Sequence, residues 1–264
     1  MKDVNIQDFS GSVAILQLGD LENKERVTTY IKSIPKHSIV LIGEYVVDSF
    51  FSQDWGMKTE SCLKDKNKLD IFMHFSKKYG HTFIVPFIQY KNKGYYKQMA
   101  IITQDGFATY TQQRLIQYPH WNEANFFSND TKKLPKLPMT FMANDIKFGV
   151  LFGFEAHFDE FWMEFKKDSV DVVLVASAST FTSQKRWQNL LTTHAFTNSC
   201  YVFRANRIGT HHASDGQTWD FYGHSFVSLG QDIIDSLLNE EGMLCIEIDK
   251  AALEALKKEW GFRG

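Results

Sequence analysis

Short apolar, β-branched runs alternate with helix-periodic segments from one end of this sequence to the other. Residues 12–18 and 170–176 are runs of the first kind, whereas residues 184–197 and 250–260 repeat apolar side chains at helical spacing. Further strands are predicted at 38–47, 82–88, 95–103, 107–115, 148–155, 201–206, 225–229 and 242–249, and further helices at 23–32, 69–79 and 158–168. Because turns such as Asp105-Gly106 join several strands directly, the pattern predicts one α/β domain over residues 1–264 with mixed sheets, its last two strands paired with each other.

The composition is that of an ordinary globular protein, and it excludes several classes of partner. Hydrophobic residues make up 44%, charged residues 23%, and the net charge is −2, so neither nucleic acid nor an acidic membrane surface is an expected partner. No apolar run approaches the ~20 residues that span a bilayer, and the first residues lack the apolar core of a signal peptide. Cys62, Cys200 and Cys245 form neither a disulfide framework nor a C-x-x-C motif, which predicts a reducing, cytoplasmic location.

A single carboxylate interrupts the apolar run SIVLIGEYVV, and that residue is Glu44. A buried carboxylate costs free energy unless it is paired or protonated, so Glu44 is a candidate functional residue; the alternative is a strand-end glutamate that faces water. The histidines His211, His212 and His224 do not predict a metal site, because adjacent side chains point in different directions and no third ligand at helical spacing joins them. We expect no metal and no cofactor.

Six segments together resemble the carbon–nitrogen hydrolase (nitrilase) family in their order, spacing and total length, over essentially the whole chain. They are VAILQL at 13–18, IGEYVV at 42–47, GYYKQMAIITQDG at 94–106, KFGVLFGFEAHFDE at 147–160, NSCYVFRANRIG at 198–209 and FYGHSFVSLGQDII at 221–234. The resemblance implies a four-layer α-β-β-α sandwich with mixed sheets. It also implies at least a homodimer, assembled around residues 158–165 and 251–260, although burial of these apolar residues against the chain's own sheets is the simpler alternative.

The catalytic residues of that family can be carried over position by position. The family uses a Cys thiolate as nucleophile, a Glu as general base and a Lys that stabilises the tetrahedral intermediate. The resemblance assigns the base position to Glu44, the Lys position to Gln112, the nucleophile position to Gly153 and a second, structural Glu position to Glu123. Two of the three catalytic groups are therefore missing, and the interpretation is a catalytically inactive or strongly impaired member with a ligand-binding or scaffold role.

Some alternatives remain open at this stage. An active amidase-type hydrolase of non-peptide C–N bonds would need an unrecognised nucleophile, such as Cys62 or a water molecule activated by Glu44. A purely structural homo-oligomer is the third alternative. Lys97 could restore a positive charge near Glu44, but a solvated lysine is the expected state. Phe154, Glu155 and Lys97 are the candidates for the substrate pocket, which is either an open cavity or one filled by aromatic side chains. The predicted ligand is a small amide- or nitrile-like molecule, selected by the loops at 51–67 and 117–138, and restoring catalysis would require Gly153→Cys together with Gln112→Lys.

Overall fold

The computed structural model describes residues 4–48, 67–133, 136–180, 182–213 and 216–263. Its helices are α1 (Lys24–Ser33), α2 (Asp70–Tyr79), α3 (Asp159–Lys167), α4 (Gln184–Thr197) and α5 (Lys250–Trp260). Its strands are β1 (Asn5–Ile6), β2 (Ser12–Gln17), β3 (Ile39–Ile42), β4 (Thr82–Lys91), β5 (Gly94–Thr103), β6 (Gly106–Thr111), β7 (Gln117–Tyr118), β8 (Trp121–Asn122), β9 (Thr140–Ala143), β10 (Ile146–Phe152), β11 (Val172–Ser177), β12 (Tyr201–Asn206), β13 (Ile208–His212), β14 (Thr218–Tyr222), β15 (Phe226–Leu229), β16 (Asp232–Ser236) and β17 (Gly242–Glu247). None of the described helices is long and apolar enough to cross a membrane.

Two large mixed sheets carry the fold. One has seven strands in the order β1-β9-β10-β11-β12-β15-β16, and the other has six in the order β17-β2-β3-β4-β5-β6. The centre of the first sheet is parallel, from β10 through β11 to β12, and so is the run from β2 through β3 to β4 in the second. The carboxyl ends of parallel strands are where open α/β sheets usually build their sites.

The buried side chains separate into layers that define the sandwich. Val13 and Ile39 of the six-stranded sheet share one apolar core with Phe148 and Val172 of the seven-stranded sheet, so the two sheets face each other. A second core packs α1 and α2 on the outer face of the six-stranded sheet, and a third packs α3 and α4 on the outer face of the seven-stranded sheet. The result is the predicted order helix, sheet, sheet, helix, which confirms the fold class.

Several predicted elements end where the sequence indicated. Helix α2 stops at Gly80, whose φ of 74° is left-handed and whose N–H donates to the carbonyl of Ser76. Helix α5 begins after Asp249, whose side chain accepts a hydrogen bond from the backbone N–H of Ala252. Both boundaries follow from local chemistry, which is why the ranges predicted from the sequence, 69–79 and 250–260, end and begin at these residues.

Other predictions were wrong, and each failure has a tertiary cause. The two late strands do not pair with each other: β15 lies between β12 and β16, whereas β17 pairs antiparallel with β2 in the other sheet. The stretch 117–138, predicted as a loop, contains β7, β8 and a 3-10 turn at Glu123–Asn125. The hairpin of β13 and β14 was not predicted, because polar side chains dilute its alternation. Most of the predicted loop at 51–67 lies outside the described residues.

Candidate active site

Glu44 stands just beyond the carboxyl end of β3. The predicted strand at 38–47 stops at Ile42 because the chain meets the neighbouring sheet at Gly43, where a Cβ would lie 2.8 Å from the backbone nitrogen of Arg207. The backbone N–H of Glu44 donates to the carbonyl of Ser177 at 3.1 Å, which joins the two sheets at this edge. The side chain is 4% exposed, so the carboxylate is held away from bulk water.

Lys97 links two buried carboxylates at this edge. Its ammonium contacts Glu44 Oε2 and donates to Glu123 Oε1 at 2.5 Å. Glu123 also accepts from the hydroxyl of Tyr45 at 2.5 Å and from the backbone N–H of Ile116 at 3.1 Å. Lys97 is 3% exposed, so the expectation of a solvated lysine was wrong: two buried carboxylates outweigh the loss of its hydration.

The charges of this cluster depend on one another. Burial raises the pKa of the Glu44 carboxyl, and the neighbouring Glu123 raises it further, although Lys97 opposes both. Burial alone would lower the pKa of Lys97, but Glu123 and Glu44 outweigh it and raise that pKa. Lys97 therefore stays an ammonium, and Glu44 is a stronger base than a solvated glutamate. This is the electrostatic setting in which a general base operates.

Gln112 lies directly across the β5–β6 ladder from Lys97. Its backbone N–H donates to the carbonyl of Lys97 at 3.1 Å. The side-chain amide of Asn129 donates to the carbonyl of Lys97 at 3.0 Å and to the carbonyl of Gln112 at 2.8 Å. The Gln112 side chain turns away to the carbonyl of Arg114 at 2.7 Å. The positive charge that the sequence resemblance assigned to position 112 thus lies on the neighbouring strand, at the facing residue.

The elbow after β10 carries no nucleophile. Gly153 donates its backbone N–H to Glu44 Oε1 at 3.0 Å and to the carbonyl of Ala176 at 2.7 Å. A Cβ at Gly153 would lie 2.7 Å from the Cβ of Ser177 and 3.1 Å from Glu44 Oε1. The Ser177 hydroxyl lies within 3.1 Å of the Ala205 carbonyl and 3.0 Å of Asn206 Oδ1, so its proton is engaged away from Glu44. Ser177 occupies the room that a larger residue at 153 would need.

Glu155 was a candidate for the substrate pocket, but it is not among the residues that line the cavity. It is fully buried beneath the elbow, where it accepts hydrogen bonds from the backbone of Phe152 and Gln113 and from the hydroxyl of Tyr110, at 3.1, 2.6 and 2.9 Å. Burial raises the pKa of Glu155 to about 7, although the hydrogen bonds from these donors lower it. Its place beneath the elbow indicates a structural role, holding the elbow to β6.

A cavity of about 730 Å³ opens beside Glu44 and Gly153, so aromatic side chains do not fill the site. Phe154 lines it, as proposed from the sequence, whereas Lys97 and Gln112 lie behind its wall. Its lining mixes rings and hydroxyls: Glu44, Ile116, Tyr118, His120, Trp121, Gly153, Phe154, His157, Ser177, Ala178, Ser179, Thr180, Ser183, Arg186, Trp187 and Leu190. Such a mixture suits a small ligand held by a few polar contacts.

Neither described cysteine could serve as nucleophile in this cavity. Cys200 is fully buried, which raises the pKa of its thiol to about 12. Cys245 lies on β17 of the six-stranded sheet and burial also raises its pKa. Neither lines the cavity. Cys62 lies outside the described residues, and the described residues contain no group of three or more side chains that could hold a metal ion.

Sequence reasoning missed one wall of the cavity. This wall follows β11 and begins α4, and it carries Ser177, Ser179, Thr180, Ser183 and Arg186. The available signal was the small polar run from 176 to 180, ASAST, which comes directly after a buried strand and before a helix. Small hydroxyl-bearing residues at the carboxyl end of a parallel strand are typical of a ligand-facing loop.

Comparison with known proteins points in the same direction as this geometry. The family model for carbon–nitrogen hydrolases matches residues 31–258. A tomato (Solanum lycopersicum) protein named N-carbamoylputrescine amidase is 23% identical over 204 residues, which span 71% of this chain and 66% of the relative, just under two thirds of its length. The crystal structure of a carbon–nitrogen hydrolase from Helicobacter pylori superposes with a TM-score of 0.82 at 19% identity, covering 95% of this chain and 93% of the other. Saccharomyces cerevisiae Nit3, of the nitrilase superfamily, superposes with a TM-score of 0.75 at 19% identity, covering 94% and 93%.

Proposed function

Since this chain belongs to the carbon–nitrogen hydrolase family, we propose that it binds a small amide-like molecule beside Glu44 and Gly153 without hydrolysing it at an enzymatic rate. The observation that carries this proposal is the elbow itself. Gly153 has no side chain, and Ser177 fills the adjoining space with its hydroxyl engaged elsewhere. Without a nucleophile among the described residues at the elbow, no covalent intermediate forms there, and water would have to attack directly.

The groups that remain fall short of what hydrolysis needs. A positioned general base such as Glu44 is worth ~10²–10⁴-fold, whereas enzymes reach ~10⁶-fold or more. Lys97 keeps a positive charge beside Glu44, but its ammonium contacts the two carboxylates and does not line the cavity. It therefore stabilises the carboxylates and cannot reach a developing oxyanion.

The remaining groups do suit binding of an amide. Each oxygen of Glu44 accepts one hydrogen bond within the protein, and a carboxylate offers about four acceptor sites, so an amide N–H of a ligand can be accommodated. The rings of Phe154, Trp121 and Trp187 line the cavity around it. A planar amide and a short carbon chain would fit this combination of acceptor and apolar wall.

Binding and hydrolysis can be measured on the same samples. Succinamide and N-carbamoylputrescine are titrated against the protein by calorimetry, and ammonia release is followed over hours with Glu44→Gln as the matched variant. We expect at least one of these amides to bind and ammonia release to equal that of buffer. Ammonia release that Glu44→Gln abolishes would overturn the proposal, and its sensitivity to iodoacetamide would then point to a cysteine nucleophile. Absence of any binding would overturn it as well.

We also propose that the chain forms a homodimer in the cytoplasm. Most apolar residues of α3 are buried against the seven-stranded sheet, but Met163 is 58% exposed, and Trp260 at the end of α5 is 50% exposed. These two exposed apolar residues lie within the two segments that the family resemblance assigns to the subunit interface, which is what supports the homodimer. Light scattering coupled to size exclusion tests this: we expect a dimer mass that Met163→Glu converts to the monomer mass, and a monomeric parent protein would refute it.

A further inference from the structure

The stretch from residue 208 to residue 249 differs in charge from the rest of the chain. It contains no lysine and no arginine, whereas the whole chain has a net charge of only −2. Its acidic residues are Asp215, Asp220, Asp232, Asp235, Glu240, Glu241, Glu247 and Asp249. A region of one sign within a nearly neutral chain favours a partner of the opposite sign.

The outer edge of the seven-stranded sheet lies within this acidic stretch. Strand β16 is the last strand of that sheet, and among the described residues it pairs on one side only, with β15. All five residues of β16 are exposed, including Ile233 at 37% and Ile234 at 45%, and Leu238 just beyond the strand is 69% exposed. An edge strand presents a row of backbone N–H and C=O groups that can pair with another extended chain.

The pairing register shows which side chains an added strand would meet. Residues that lie opposite each other in a ladder share a face of the sheet. Asp232 and Asp235 therefore lie on the face that looks toward the other sheet, because their partners on β15 belong to the core between the sheets. Ile233 lies opposite Ser228 on the outer face, and Ile234 is the extra residue of a β-bulge. An added strand would meet apolar contacts on one face and two carboxylates on the other.

The two aspartates decide which occupant this edge suits. Natural edge strands avoid pairing with copies of themselves through short length, bulges and charged side chains, and β16 has all three features. Two copies of β16 paired antiparallel would bring the aspartates of one chain close to those of the other, and facing like charges destabilise a sheet. A strand with basic side chains at alternate positions would instead place a cation beside each carboxylate.

We propose that β16 is a docking edge for a partner protein that presents an extended segment in which lysine or arginine alternates with apolar residues. The segment adds an eighth strand to the seven-stranded sheet. Its backbone pairs with the open edge of β16, its apolar side chains contact Ile233 and Ile234, and its basic side chains pair with Asp232 and Asp235. This inference is independent of the proposed function, because β16 and the cavity share no residue.

The probe is a fluorescein-labelled peptide, Lys-Val-Lys-Val-Lys-Val, and its binding to the full chain is followed by fluorescence anisotropy. The peptide Glu-Val-Glu-Val-Glu-Val tests the charge. The basic peptide N-methylated at its two central residues tests backbone pairing, because successive N–H groups of a strand point to opposite edges. We expect both comparison peptides to bind roughly tenfold or more weakly than the basic peptide. Absence of binding by the basic peptide, or equal binding by its N-methylated form, would overturn the proposal.

Variants locate the binding on β16. At about 0.15 M salt, where charges more than about 8 Å apart are largely screened, Asp235→Lys should weaken binding of the basic peptide roughly tenfold. Asp220→Lys is the matched control, because Asp220 is an exposed aspartate of the same acidic stretch on β14, which belongs to a different sheet. Equal losses in the two variants would show a general charge effect and overturn the assignment.

Light scattering tests the alternative occupant, which is a second copy of the chain. We expect the mass of the parent protein and that of Ile234→Lys to show the same dependence on protein concentration. A mass that grows with concentration in the parent protein and not in Ile234→Lys would show that a second copy occupies the edge, and would overturn the proposal.

Discussion

Buried carboxylates lie on either side of the elbow: the pair Glu44 and Glu123 forms the first group, and Glu155 alone forms the second. The protein stabilises the two groups differently. Glu44 and Glu123 share the ammonium of Lys97, whereas Glu155 receives only neutral donors, the hydroxyl of Tyr110 and backbone N–H groups. Gly153 lies between the two groups and donates its own N–H to Glu44. The first group depends on a charge, and the second depends on hydrogen bonds and on its protonation state.

The difference shows which of these groups the fold itself depends on. Removing the ammonium of Lys97 would leave Glu44 and Glu123, two buried carboxylates, without the cation that they share, which is strongly destabilising. Gly153 has no side chain and pairs with no buried charge; it contributes only its backbone N–H to Glu44. The charged cluster therefore contributes to stability whether or not the elbow carries a nucleophile.

The largest expected effect concerns Lys97. Lys97→Met removes the only ammonium of the first group, and we expect the free energy of unfolding to fall by about 3–5 kcal/mol, measured by urea denaturation. The matched control is Lys77→Met, because Lys77 is an exposed lysine on α2, and its unfolding free energy should change by less than about 0.5 kcal/mol. Similar losses in both variants would show that the cluster needs no charge.

The exchange of the two facing residues sharpens the same comparison. Lys97→Gln combined with Gln112→Lys moves the ammonium back across the ladder, to the position indicated by the family resemblance. We expect the double variant to recover more than half of the stability lost in Lys97→Gln alone, because one cation again faces two carboxylates. Additive losses in the double variant would show that the ammonium cannot be moved from residue 97 to residue 112 across the ladder.

Features that depend on a local pattern or on a motif could be predicted from the sequence. Features that depend on segments brought together only in the folded chain could not. Strand and helix alternation predicted an α/β fold with mixed sheets, and the family resemblance predicted the four layers and grouped Glu44, Gln112, Glu123 and Gly153 at one site. The role of Lys97 could not be predicted, because its burial depends on two carboxylates that lie 53 and 26 positions away in the chain. The burial of Arg204 on β12 could not be predicted for the same reason, because the residues that surround it come from other segments of the chain.

The pH dependence of stability tests the second group. Burial raises the pKa of Glu155 to about 7 from 4.5. Between these two pH values the folded protein keeps a proton on Glu155 that the unfolded chain has released. The stability contributed by Glu155 is therefore present below pH 4.5 and is lost as the pH rises through 7, by about 2–3 kcal/mol between pH 5 and pH 8.

Glu155→Gln removes this titration, and it is the control for other titrating groups. We expect the unfolding free energy of the parent protein to fall relative to that of Glu155→Gln as the pH rises from 5 to 8, because only the parent loses a proton at this position. Urea denaturation at both pH values measures it. A difference that is constant, or that grows with pH, would mean that the hydrogen bonds from Tyr110 and the backbone keep Glu155 ionised.

The smallest expected effect concerns Gly153, which lies between the two groups. Gly153→Cys places a Cβ 2.7 Å from the Cβ of Ser177, so we expect a loss of roughly 1–2 kcal/mol from overpacking, and Gly153→Cys with Ser177→Gly should recover most of it. The new thiol would lie beside Glu44, with the ammonium of Lys97 already present, so the double variant should react with iodoacetamide at the new cysteine, as mass spectrometry of the labelled peptide would show. Gly153→Ala with Ser177→Gly serves as the unreactive control. If Gly153→Cys alone is as stable and as reactive as the double variant, Ser177 does not occupy the position of the missing nucleophile.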